Sequence, residues 1–233
     1  MEKLISIQGL SKTYGPVTAL NNVNIEINKG EIIGILGPNG SGKTTLIKII
    51  TGLLKQYMGD IKVDNQKIGI HSKGIISYLP DCNYLNEKWT CLDAIEFFKD
   101  FYLDFDEKRA FELLEFLRIP LRSKIKHLSK GTKEKVQLSL VLARRAKLYI
   151  FDEPIAGVDP ASRDLIFEMI LRNHDPESTI IICTHLIAEA EKIISRAIFL
   201  NYGQIYLDKD MKTFREETTK TLDEHFREVF RCF

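Results

Sequence analysis

Apolar runs of four to six residues dominate both ends of this chain, and helical spacing dominates its middle. KLISIQGL (3–10) alternates weakly and predicts an edge strand. VNIEI (23–27) alternates apolar with polar, the pattern of a strand with one buried face. EIIGIL (31–36) is continuously apolar and β-branched, which predicts a strand buried on both faces. TTLIKIITGLL (44–54) puts Leu46, Ile49, Ile50 and Leu53 at helical spacing, with Gly52 weakening the last turn. GDIKV (59–63) reads as another exposed strand and GIISYLP (74–80) as a short buried one.

The texture changes at Cys91, and no strand is predicted from there to Ala146. Residues 92–119 read as helical with Pro120 as a stop, and 130–146 as a second helical stretch. Strands return at LYIF (148–151), TIIICT (179–184), AIFL (197–200) and QIYL (204–207), with helical segments at 160–174 and 185–194. The pattern therefore predicts a mixed α/β core over 1–80 and 147–207, a helical subdomain inserted at 81–146, and a helical tail at 208–233. In the tail, Leu222, Phe226, Val229 and Phe230 share one helix face. Packing onto the core is the favoured reading, because terminal helices usually dock on their own domain. A dimer contact is the alternative.

Composition narrows the class. The 233 residues are 44% hydrophobic and 28% charged, enough for one α/β domain with a subdomain. Lys plus Arg is 33 and Asp plus Glu is 32, so nothing suggests a nucleic-acid tract or an acidic tail. The lysines at 124, 126, 130, 133 and 135 read as a solvated helix face. Cys82, Cys91, Cys183 and Cys232 show no CxxC spacing and read as reduced thiols of a cytosolic protein, not as a metal site. The opening MEKLISIQGL is too short and too charged for a signal peptide. No apolar run approaches the roughly 18 to 20 residues that span a bilayer.

Candidate chemistry starts where EIIGIL ends. Gly37, Gly42, Lys43 and Thr44 in GPNGSGKT satisfy G-x-x-x-x-G-K-[ST], and the loop lies between a predicted strand and helix. Glycines let main-chain N–H groups turn inward, and the helix adds its positive end. Lys43 reaches the β- and γ-phosphates and the Thr44 hydroxyl can ligate Mg²⁺. Pro38, Asn39, Gly40, Ser41 and Thr45 complete the segment expected to wrap the nucleotide. The loop alone implies nucleotide binding, not hydrolysis.

A second half-site follows at LYIFDEP (148–154), an apolar strand ending in two carboxylates. Ligands of open α/β sheets bind at such strand ends. Asp152 is placed to support Mg²⁺, and Glu153 to polarise an attacking water as general base. A helix cap is the plainer reading of DEP, and the phosphate loop decides against it. His185 ends TIIICTH and is placed to donate to the γ-phosphate. In LSKGT, Ser129 and Gly131 precede a helix whose first N–H groups are free, which makes a second anion-gripping surface. An ordinary Ser cap fits the local sequence equally well. A head-to-tail pair of chains would bring that surface over the nucleotide of the opposite chain.

With these motifs in this order, nearly the whole chain resembles the ATP-binding subunit of ABC transporters. GPNGSGKT is similar to the Walker A motif and LYIFDEP to the Walker B motif, with Glu153 as the catalytic carboxylate. LSKGT resembles the signature motif (Ser129, Lys130, Gly131, Thr132), and AGVDP (156–160), with Asp159, resembles the D-loop. His185 falls at the switch histidine and Tyr14 at the aromatic that stacks on adenine; otherwise Tyr14 is a plain turn aromatic. The resemblance implies an α/β fold: a P-loop NTPase core with a mixed sheet, an N-terminal antiparallel β part and the inserted helical subdomain. It implies an ATPase using Mg²⁺, acting as a homodimer or heterodimer of ATPase subunits. A separate transmembrane permease chain would hold it at the inner face of the cell membrane, often for export of peptides, antibiotics or lipids.

Two positions depart from the family. The Q-loop usually has Gln where Asp81 stands. Asp still offers a Mg²⁺ ligand, yet it adds negative charge near the phosphates. In the signature, Lys130 replaces a glycine and Thr132 a glutamine. Lys130 strengthens anion binding if it faces the phosphates and changes nothing if it points outward. The family's permease contact lies near the Q-loop, where Phe97, Phe101 and Phe105 read as core and Phe98 and Tyr102 as an adjacent face. Part of that cluster, with Trp89, is expected to line a groove for a permease helix. A soluble ABC-type ATPase and a low-turnover nucleotide-binding regulator stay open as alternatives; Asp81 and Lys130 favour the second.

Overall fold

Two sheets form the framework of the computed structural model, which describes residues 2–155 and 160–230. The first sheet is antiparallel. Strand β1 (Lys3–Tyr14) pairs with β2 (Val17–Asn28) on one side and with β4 on the other. It is therefore central, not the edge strand that its weak alternation predicts. The weak pattern has a cause: register shifts around Gly9 and Leu10 bend β1 and blur its two faces. Strand β2 shows the clean alternation expected, with Val23, Ile25 and Ile27 buried.

Strand β3 (Ile32–Leu36) is buried between two parallel neighbours, as its apolar run requires. Helix α1 (Lys43–Ile50) follows the phosphate loop and buries Leu46, Ile47, Ile49 and Ile50. It stops four residues before the predicted end. Gly52 takes φ +71°, and the N–H groups of Leu53 and Gly52 close onto the carbonyls of Lys48 and Ile49. That Schellman-type cap needs a left-handed residue, which glycine supplies without strain.

Strands β4 (Met58–Val63) and β5 (Gln66–Lys67) finish the antiparallel sheet in the order β2-β1-β4-β5. Helix α2 (Ile70–Ile75) takes part of the segment predicted as strand, so β6 (Ile76–Leu79) starts two residues late. Helices α3 (Cys91–Phe101), α4 (Glu107–Phe116) and α5 (Lys130–Leu142) come next. Thr90 and Asp106 cap α3 and α4 by accepting from Asp93 and Arg109 N–H groups, which splits the helical run at residues 102–106.

Strand β7 (Leu148–Asp152), helix α6 (Pro160–Arg172), strand β8 (Thr179–Thr184) and the single turn α7 (Ile187–Ala190) alternate as βα units. Strands β9 (Arg196–Asn201) and β10 (Gln204–Asp210) close the second sheet, in the order β10-β9-β3-β8-β7-β6. Only β9 and β10 pair antiparallel; the rest are parallel, so the sheet is mixed. Helices α8 (Met211–Glu217) and α9 (Leu222–Phe230) end the described chain. Leu222 is fully buried and Phe226 and Phe230 pack on the same cluster, so the tail docks on its own core.

The sequence expectation is reversed for Phe97, Phe98 and Phe101, while Phe105, just beyond α3, packs on the helical core as expected. Phe98 is buried at 6% exposure, while Phe97 and Phe101 are 44% and 68% exposed. Helix α3 turns Cys91, Ala94, Ile95 and Phe98 inward at helical spacing, which leaves the i, i+4 pair Phe97–Phe101 stacked outside at 5.7 Å.

Candidate functional site

Strand β3 delivers the chain into the phosphate loop, and packing around that loop dictates its glycines. A Cβ on Gly37 would lie 2.2 Å from the Leu200 carbonyl oxygen and 2.7 Å from Ser41 Oγ. Gly42 holds φ +108°, and a Cβ there would lie 2.4 Å from the Ala19 carbonyl oxygen. Lys43 is buried and spans the loop, its Nζ donating to the carbonyls of Gly37 (2.8 Å) and Pro38 (3.1 Å). Burial pushes the Lys43 pKa down; Glu153, Cys183 and Asp152 work in the opposite direction. No acidic residue occupies the first turn of α1, so its positive end stays uncompensated beside Thr44 and Thr45.

Asp152 ends β7 at 1% exposure, and among the described residues neither carboxylate oxygen has a hydrogen-bond partner of good geometry, the Thr44 hydroxyl nearby included. Burial, then the charges of Asp81 and Glu153, raises its pKa to about 6; Thr44 and Lys43 pull it down. A buried carboxylate without partners is costly. A divalent cation held by Asp152 and Thr44 would relieve that cost.

Glu153 leaves the strand in the left-handed region, at φ +51°, with its N–H donating to the Cys183 carbonyl at 2.8 Å. For a residue with a Cβ that conformation costs about 1–2 kcal/mol. It aims the carboxylate at the end of β8. The Thr184 hydroxyl donates to Oε2 at 3.0 Å, and His185 Nδ1 lies 2.9 Å from Oε1 and 3.0 Å from Oε2. A carboxylate only accepts, so Nδ1 carries the proton and Nε2 faces away from the pair.

Asp81 follows β6, is exposed, and shares a cavity of about 370 Å³ with Glu153, Lys130 and Glu134. Ser129 caps α5: its Oγ accepts from the Thr132 N–H at 3.2 Å and lies 2.8 Å from Thr132 Oγ1. A Cβ on Gly131 would meet nothing within 4 Å, so that helix end is open. Lys130 points to solvent, 4.0 Å from Glu134. Among the described residues, no hydrogen bond joins Ser129, Gly131 or Thr132 to the phosphate loop of the same chain. Tyr14 sits at the tip of the β1–β2 hairpin, half-exposed, with Lys12 Nζ 4.8 Å above its ring. Asp159 lies outside the described residues.

A family model for ABC transporters matches residues 20–156, more than half of the chain. The chain belongs to the ABC transporter family. It is an ATP-binding subunit of that family and an ATPase. The ABC transporter ATP-binding protein YtrB of Bacillus subtilis (strain 168) is 32% identical over 220 residues, 93% of this chain and 75% of that protein. The lantibiotic transport ATP-binding protein SrtF of Streptococcus pyogenes is 31% identical over 209 residues, 89% of this chain and 91% of that one. Among solved structures, the dimeric post-hydrolysis state of the ATP-binding cassette MJ0796 bound to ADP and Pi superposes with a TM-score of 0.79. It is 26% identical, covering 89% of this chain and 99% of that one.

For an ABC ATPase the donor set fits Mg²⁺, a hard cation that takes one or two carboxylates plus phosphate oxygens. Sequence reasoning missed two residues here. Thr184 fixes Glu153, and its only signal is a hydroxyl residue one position before His185. Arg144, buried at the end of the helical stretch, donates to Asp104 Oδ1 (2.9 Å) and to the carbonyls of Ile76 (2.5 Å) and Gly74 (2.6 Å). It also lies 3.9 Å over the Tyr102 ring. Its partners are distant in sequence, so no local pattern announces it.

Proposed function

We propose that this ABC ATPase powers export through a separate membrane permease, with two ATPase subunits closing head to tail on ATP. Residues 81–146 act as the helical subdomain, and the core on either side holds nucleotide. The buried, unpartnered Asp152 beside the phosphate loop carries the reading: it suits a carboxylate that awaits a cation and a triphosphate. The residues divide the work. Residues 37–45 wrap the phosphates, Thr44 and Asp152 hold Mg²⁺, and Tyr14 stacks on adenine. Mg²⁺ would neutralise charge on the phosphate oxygens. Glu153 orients and deprotonates the attacking water, and His185 positions Glu153 through Nδ1. Ser129, Gly131 and the open start of α5 grip the nucleotide of the opposite subunit.

The permease contact is a groove of about 750 Å³ between α1, α2 and α3. Leu53, Ile70 and Phe101 stand exposed around it, Tyr102 and Arg144 lie in it, and Lys48 and Lys73 edge it. An amphipathic permease helix with acidic ends suits that surface. Trp89 is not part of it; its ring packs 4.9 Å from Phe97 and against the helical core. No helix among the described residues is long and apolar enough to cross a membrane, and in this reading the permease supplies the membrane path. Linearmycin resistance in LnrL and lantibiotic transport in SrtF favour export.

Low turnover is a second reading, favoured by Asp81, whose charge raises the pKa of Asp152. Light scattering of Glu153→Gln with saturating MgATP tests the dimer, and co-expression with a neighbouring membrane protein tests the permease. A Glu153→Gln protein that stays single with both supplied would sink the proposal.

A further inference from the structure

Helix α9 lies against the strands that carry the phosphate loop. Phe226 meets the Phe199 ring edge-on at 5.3 Å and Phe230 at 4.2 Å, and Phe230 lies 6.0 Å from Phe199. Phe199 is the β9 residue paired with Leu36, the last residue before Gly37. At the other end of α9, Leu222 is fully buried and its N–H donates to Glu191 at 3.0 Å. The helix is thus anchored at its start and shares a cavity with the loop at its end.

Phe230 also lines one cavity with the loop. Pro38, Asn39, Gly40 and Ser41 line this cavity of about 320 Å³ together with Asn201, Tyr202 and Phe230. The turn between β9 and β10 is bonded to the same loop segment: the Gly203 N–H donates to the Ser41 carbonyl at 2.9 Å. Within the motif, the Ser41 N–H donates to the Pro38 carbonyl at 3.2 Å and Lys43 Nζ to the same oxygen at 3.1 Å. Asn39 and Gly40 are exposed, and the buried Ser41 Oγ has no hydrogen-bond partner. Residues 38–41 are thus held both by bonds within the motif, which fix Pro38, and by the β9–β10 turn outside it, while Asn39 and Gly40 between them stay exposed.

We propose that Phe230, backed by Phe226, is a positioning residue of the nucleotide site. The docked carboxyl-terminal helix holds residues 38–41 in their binding conformation, so ATP affinity is coupled to docking of the tail. Ordering a loop at the moment of binding subtracts from affinity, and a wall already in place removes part of that loss. Coupling of this kind is reciprocal: nucleotide must also tighten the tail. The proposal goes beyond the reading above and needs neither a dimer nor a permease.

The test measures ATP dissociation constants at low protein concentration for the full chain carrying Glu153→Gln, which separates binding from turnover. Added to it, Phe230→Ala weakens binding by about 5-fold or more, and Phe230→Tyr restores it. Phe105→Leu, which thins the separate helical core, leaves affinity unchanged. With Glu153 intact, Phe230→Ala raises KM and leaves kcat at saturating ATP unaltered. Bound nucleotide slows hydrogen exchange in α9. The proposal is overturned if Phe230→Ala binds as tightly as its parent, if Phe105→Leu weakens binding equally, or if exchange in α9 ignores nucleotide. A parent that binds no ATP overturns the site reading itself, and this proposal with it.

Discussion

His185 Nδ1 lies 2.9 Å from one oxygen of Glu153 and 3.0 Å from the other, so one imidazole N–H bridges the whole carboxylate. The pair joins the ends of two adjacent parallel strands. With Nδ1 committed to Glu153, only Nε2 is left for a γ-phosphate, and only as the imidazolium can it donate there.

Replacing Glu153 by Gln keeps the shape and removes the proposed base. ATPase turnover falls by about 10²–10⁴-fold, while nucleotide binding survives. His185→Ala frees the carboxylate to rotate and lowers turnover without abolishing binding. Phosphate release alongside equilibrium binding checks both, and undiminished turnover in Glu153→Gln would remove it from the general-base role.

Asp152 makes the nucleotide-free protein sensitive to pH. Its pKa is about 6 in the fold against an ordinary 3.8, so the folded state holds a proton that the unfolded chain has lost. Stability therefore falls as pH rises from about 4 to about 6, by at most about 3 kcal/mol. Asp152→Asn removes that loss: more stable than the parent at pH 7, equal to it near pH 4, and inactive. Thermal unfolding without Mg²⁺ across this range measures it; parallel curves for the two proteins would contradict the assignment.

Asp81→Gln takes one negative charge away from Asp152. The Asp152 pKa falls, and turnover at limiting Mg²⁺ rises. A Mg²⁺ titration of ATPase activity reads the change, and a loss of activity would instead mark Asp81 as an indispensable ligand.

Arg144→Ala leaves the Gly74 and Ile76 carbonyls and Asp104 without their donor. Breaking a buried ionic network of this kind costs about 3–5 kcal/mol, read by denaturant unfolding. Phe101→Ala, at an exposed position, changes stability by no more than about 0.5 kcal/mol but, on the proposed reading, weakens association with a permease. Trp89→Ala does the opposite, because its ring belongs to the helical core.

The phosphate loop was legible in the sequence because its parts are local, whereas Glu153 and His185 could be named as candidates at strand ends but their pairing across 32 residues came from β7 lying beside β8. A strand, a turn and a helix start lie within a dozen residues, and covalent geometry alone places Gly37, Lys43 and Thr44 together. Buried strands were legible for the same reason: an unbroken apolar run has nowhere to go but between two covered faces. Tertiary structure decided which neighbour covers which face. β1 became central because β4 returned to pair with it, and Phe98 went inward because α4 and α5 lie on that side of α3. Arg144 and Phe230 found partners dozens to more than a hundred residues away, and periodicity carries no information about a partner at that distance. Sequence set what each segment can bury and bind; the contacts made on folding chose the surfaces and oriented the groups.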